Sequence, residues 1–86
     1  MLYVRGHRDN YDGWRDAGCE GWGYSDVLPY FKRSESHEDG ESEFHGGSGP
    51  LQVTRQQDIS VVSRAFVDSI AQVCGVLVQD DFNGAN

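Results

Sequence analysis

Two histidines, His37 and His45, lie in a stretch that also holds Glu35, Glu38, Asp39, Glu41 and Glu43. Imidazole nitrogen and carboxylate oxygen are transition-metal donors, so metal binding is the first chemistry these residues raise. Their intervals match no known ligand frame and suit an adventitious ion better than a dedicated centre. The carboxylates do not fall into the patterned loop of a calcium hand either. Like charges at this density repel, and the stretch reads as a solvated surface loop.

Nucleophilic and phosphate chemistry fare no better. His45-Gly46-Gly47 has the form of an oxyanion loop, but no Gly-x-Ser-x-Gly elbow supplies a nucleophile. Gly47-Ser48-Gly49 lacks the third glycine of a dinucleotide fingerprint and precedes a strand-like run instead of following one. His7 follows Arg5-Gly6 and reads as a surface or packing histidine. Cys19 sits after Gly18 in a turn with no base beside it, whereas Cys74 falls on an apolar helical stripe and is expected to be buried. Two cysteines make neither a disulfide framework nor a metal frame, and they suit a reduced, cytoplasmic setting. No complete catalytic constellation is present, so no residue is assigned a catalytic or metal-binding role.

The elements that would position these residues are short. Asp9 to Ala17 reads as a helix capped by Asp9, with Tyr11 and Trp14 on one face and Gly18 stopping it. A second helix is predicted from Ser25, a natural N-cap, to about Ser34. It carries an apolar stripe of Val27, Leu28 and Phe31, and Pro29 costs it at most one backbone bond. Leu51-Gln52-Val53-Thr54 alternates like a short strand, and Val76-Leu77-Val78 reads as a second extended segment. Between them Ile59, Val62, Phe66, Ile70, Val73 and Cys74 recur at helical intervals, with Asp58 or Ser60 in front and Gly75 behind. Asn83-Gly84 is a turn signal. The fold class expected is α+β and α-rich, with three helices and two short strands.

Composition sets the limits. A chain of 86 residues allows one domain at most, and at this length only about 60–65% of the unfolded surface is buried on folding. Mean hydropathy is −0.60, and 11 glycines add to the backbone entropy lost on ordering. Net charge is −7, which repels phosphate backbones and anionic lipid and so disfavours nucleic-acid and membrane-surface partners. No run is long and apolar enough to cross a bilayer.

Several ordered motifs carry a resemblance. Met1-Leu2-Tyr3-Val4-Arg5-Gly6-His7, Tyr11-Asp12-x-Trp14, Gly21-Trp22-x-Tyr24 and Val27-Leu28-Pro29-Tyr30-Phe31-Lys32-Arg33-Ser34-Glu35 come first. His45-Gly46 through Gly49-Pro50-Leu51-Gln52-Val53 and Asp80-Asp81-Phe82-Asn83-Gly84 follow. In this order they resemble an interior segment of the glucose-methanol-choline (GMC) oxidoreductases, in the choline-dehydrogenase-like branch, over nearly the whole chain.

The resemblance implies an FAD-dependent enzyme that oxidises an alcohol, passing hydride to the flavin with a histidine near the C-terminus of the whole enzyme as base. It makes residues 1–86 part of the N-terminal, flavin-binding domain, a piece covering the flavin without the dinucleotide-binding core. Met1 and Leu2 match the last residues of the family's flavin-contact motif and are the candidate cofactor-binding residues. The dinucleotide fingerprint, the Gly-Gly-Ser-Ser motif and the catalytic histidine region have no counterpart here. Met1 coincides with a methionine internal to the family, and Asn86 follows directly on the Asn-Gly turn. The chain is therefore expected to be a fragment that holds no FAD and turns over no alcohol alone. The alternative is a small acidic interaction module derived from such an enzyme, with exposed apolar helix faces that bind a partner or self-associate. A separate small metal-binding protein is the third reading.

Overall fold

The structure, a computed structural model, describes residues 1–85; Asn86 lies outside the described residues. Helix α1 (Arg8–Asp16) follows directly on the N-terminal segment. Its cap is His7, not the expected Asp9: the His7 ring accepts from the Asp9 amide at 3.2 Å. Asp9 lies inside the first turn, where its charge favours the positive helix end. Gly18, at φ +112°, turns the chain away as expected.

Helix α2 (Tyr24–Ser34) begins one residue before the expected Ser25 cap. Two carboxylates satisfy its opening amides: Asp26 accepts from Gly23 N–H at 3.1 Å, and Asp12 of α1 accepts from Tyr24 N–H at 2.9 Å. The second bond fixes α2 to α1, and aromatic edges complete the contact. Tyr11 meets Phe31 at 5.8 Å between ring centroids, and Trp14 meets Trp22 at 6.3 Å, both edge to face. Among the described residues only Tyr24 and Val27 form a buried apolar core.

Strand β1 (Glu35–His37) continues directly from α2 and pairs in parallel with β2 (Leu51–Val53), Glu35 opposite Leu51 and His37 opposite Val53. The expected strand over Leu51–Thr54 is therefore present. Residues 76–78 form no strand; the second strand comes from the start of the acidic stretch instead. The reason is the return loop. Its Gly46 and Gly49 press against the end of α2, and backbone bonds from His37 N–H to Gly46 O and from Gly49 N–H to Glu35 O, both 2.9 Å, draw residues 35–37 into extended form.

Helix α3 (Val61–Cys74) matches the expected stripe, with the Ser60 hydroxyl accepting from Ser63 N–H at 3.1 Å and Gly75 at φ +64° closing it. None of its residues is buried. Val62, Phe66 and Val73 are well exposed, and Cys74 is exposed too, against the expectation that it would be buried. The stripe is real, but no other element of the described chain covers it. The Cα radius of gyration, 15.6 Å, exceeds the roughly 12 Å of a compact domain of this length. Three helices and a two-stranded parallel sheet make a small, α-rich α+β fold.

Candidate functional site

The most deeply buried large side chain is a charged one. Glu35, placed by the α2–β1 junction, has no exposed surface. The sequence places it in a solvated acidic loop, and burial overturns that reading for this residue. Two cations compensate it. Arg5, itself buried, donates through Nη2 to Glu35 Oε2, and His45 Nδ1 lies 2.8 Å from Oε1. Gly46 N–H adds a long bond of 3.4 Å to Oε2. Arg5 is fixed in turn by Phe44 O, and its guanidinium carbon lies 5.3 Å from the Phe31 ring centroid and 5.8 Å from that of Tyr3.

The network reaches a third part of the chain. His45 Nε2 is 2.6 Å from Asp81 Oδ2, so the ring bridges two carboxylates. A neutral imidazole donates through one nitrogen only, whereas the imidazolium satisfies both. Burial opposes that charge, but the hydrogen bonds to Asp81 and Glu35 outweigh it and hold the His45 pKa above its ordinary value. Burial likewise works against the Asp81 carboxylate. Bonds from His45 and from Asn83 N–H win, and its pKa is held low.

A raised histidine pKa means that the folded chain binds this proton more tightly than the unfolded one. Its stabilisation is complete below the ordinary imidazole value and is lost as pH rises through the folded one. Asp81 contributes above the ordinary carboxylate value, and its share is lost as pH falls. Stability is therefore expected to peak between about pH 4 and about pH 6.5 and to decline as pH rises further. Urea midpoints across that range should show the alkaline decline, and His45→Gln should flatten it.

Glu35, His37 and His45 bring ligand atoms within 4.8 Å of one another. The two rings are 4.2 Å apart at 35°. The sequence gives no frame for this cluster; the parallel pairing and the return loop create it. Most of its atoms are already committed. Both Glu35 oxygens and both His45 nitrogens have partners, His37 Nδ1 accepts from Asp39 N–H at 3.1 Å, and a metal ion would meet the Arg5 guanidinium on the same carboxylate. The arrangement is an internal salt-bridge network joining distant segments.

Beside it runs an open groove of about 710 Å³, bounded by Met1, Leu2 and Tyr3, by residues 51–56, and by residues 80–83, with His37 and His45 at its wall. Met1 and Leu2, the sequence-assigned cofactor residues, stand exposed at this groove. Tyr3 lines the groove as well, and its buried hydroxyl has no hydrogen-bond partner among the described residues. The lining residues combine an apolar and aromatic part at Met1, Leu2, Tyr3, Leu51, Val53 and Phe82 with polar and charged neighbours. They do not suit a pyrophosphate: the glycine turn at 46–49 precedes β2, and among the described residues no helix follows a glycine-rich turn after a strand. Arg55 closes one end by pairing with Glu38 and Asp80 at 3.0 and 2.9 Å, exposed contacts of small energetic weight. Among the described residues no helix is long and apolar enough to cross a membrane.

The segment is thus acidic and α+β, with a groove of mixed apolar and polar lining. The profile of the GMC oxidoreductase family matches residues 1–86, and the chain belongs to that family, whose members in general bind FAD. It is 45% identical over 84 residues to an oxygen-dependent choline dehydrogenase of Brucella ovis, with 98% of this chain covered. Proteins of the same name from Sinorhizobium fredii and Rhizobium etli are 45% and 44% identical over 85 residues. In each case the chain spans 15% of the relative's length. The family and its choline-dehydrogenase-like branch were legible from the sequence motifs. Arg5, Glu35, Asp81 and Asn83 were not singled out as site residues. Arg5 carried a signal, as a lone cation in the apolar start Tyr3-Val4-Arg5.

Proposed function

We propose that residues 1–86 form part of the flavin-binding domain of an FAD-dependent oxidoreductase acting on the CH–OH group of an alcohol, with choline or a similar alcohol as substrate. The observation that carries this reading is the end-to-end match to oxygen-dependent choline dehydrogenases. The groove that Met1 and Leu2 border supports it. In this reading Met1 and Leu2 lie against the isoalloxazine, and the Arg5–Glu35–His45–Asp81 network holds the wall behind them. FAD, when bound, would supply the hydride acceptor for the oxidation of the carbinol carbon. This chain's residues shape one side of the chamber and exclude water from it, whereas the dinucleotide motif and the base belong to other parts of the enzyme. The chain alone therefore holds no FAD and oxidises no alcohol. The two free cysteines support a reducing, cytoplasmic location.

The test is the DNA on either side of the coding region. An open frame upstream of the Met1 codon encoding Gly-Gly-Ser-Ser, with a product of the continuous frame that purifies yellow and reduces a dye with choline, is the expected result. A colourless product inert toward alcohols overturns it.

The exposed apolar face of α3 favours a second reading, an interaction module that binds a partner or a second copy through Val62, Phe66 and Ile70. A concentration-dependent sedimentation coefficient that Phe66→Glu abolishes would support that reading.

A further inference from the structure

The Asn83 side chain does what a neighbouring strand would do. Its Oδ1 accepts from Arg5 N–H at 2.9 Å, and its Nδ2 donates to Tyr3 O at 3.0 Å. Those two groups flank Val4, and in a parallel ladder one peptide-bearing residue of the partner strand bonds the same pair. The N-terminal segment has no strand beside it among the described residues. A primary amide is the one side-chain group that carries both the acceptor and the donor of a peptide.

Asn83 is itself fixed. Its backbone N–H donates to Asp81 Oδ1 at 2.9 Å, and the other oxygen of Asp81 is held by His45. The chain of contacts thus runs from buried Glu35 through His45 and Asp81 to Asn83, and from there to the backbone of Tyr3 and Arg5. Arg5 returns to Glu35, closing a ring that joins the N-terminal segment, β1, the return loop and residues 81–83. Tyr11 contributes from α1 by donating its hydroxyl to Arg5 O.

The geometry points to Asn83 as a positioning residue that sets the path of residues 3–5. It thereby sets the placement of Met1, Leu2 and Tyr3, which line the groove. Its functional meaning rests on the flavin reading above, but the clamp itself does not. Aspartate at this position keeps the acceptor for Arg5 N–H and loses the donor. Alanine loses both.

Amide hydrogen exchange on the full 86-residue chain, read by NMR, tests the clamp without any cofactor. Asn83→Ala is expected to raise exchange at Arg5 at least tenfold, while the Val27 amide, bonded to Gly23 O within α2, stays within about twofold. Asn83→Asp is expected to keep most of the Arg5 protection. Unchanged exchange at Arg5 in Asn83→Ala overturns the proposal. So does an equal rise at Val27, which would mean general loosening, and so does an Asn83→Asp chain that behaves like alanine. A colourless full-frame product would sink the flavin reading and leave these exchange rates untouched.

Discussion

Glu35→Gln is expected to abolish the cooperative urea transition of this chain, followed by far-ultraviolet circular dichroism. The substitution keeps the volume of the side chain and removes its charge. Arg5 would then be a buried cation without a counter-ion, and His45 would keep only Asp81. Breaking a buried pair from one side costs about 3–5 kcal/mol. A domain of this size holds roughly 4–13 kcal/mol in total, and a core of Tyr24 and Val27 puts this one near the lower bound. The double change Arg5→Met with Glu35→Gln separates charge from shape, because it removes the orphaned cation as well. It should recover part of the lost stability. A Glu35→Gln chain with an unshifted midpoint would mean that the buried network contributes nothing.

Gly46→Ala should be nearly as damaging, for a steric reason. A Cβ built on Gly46 would overlap the Lys32 carbonyl, with its carbon at 2.6 Å, and would lie 2.8 Å from Glu35 O. Both neighbours are backbone at the α2–β1 junction, so no side chain can swing aside. Forcing a methyl group into a packed site commonly costs about 1–3 kcal/mol. Displacing this junction also disturbs the carboxylate of Glu35, so a loss of about 3 kcal/mol is expected. Gly13→Ala is the control. It lies in α1 with nothing within 4 Å of its added carbon, and alanine there should stabilise the helix by about 0.5–1 kcal/mol. Urea midpoints moving in opposite directions for the two glycines would confirm the assignment.

The parts legible in the sequence were those governed by neighbours along the chain. Gly18 and Gly75 stop helices because a left-handed residue is needed within the last turn, and Ser60 caps α3 because its hydroxyl reaches an amide three residues on. The stripe of α3 was equally visible, but whether a partner covers it is a tertiary fact, and Cys74 was misplaced for that reason. Glu35 was hidden by its company. Its acidic neighbours make the local average polar, while its burial is decided by Arg5, thirty positions away, and by His45 across the return loop. The groove needed both ends of the chain together. Residues 1–3 and 80–83 are joined by the Asn83 side chain, which reaches Tyr3 and Arg5.

Much of the apolar stripe of α3 is already wetted, so melting that helix brings less hydrocarbon into new contact with solvent than melting a covered helix would. Calorimetry of these 86 residues should accordingly give a heat-capacity increment well below the roughly 1.0–1.3 kcal/mol/K usual for that length. The stability curve would be shallow, with little penalty on chilling and a broad, low-enthalpy endotherm on heating.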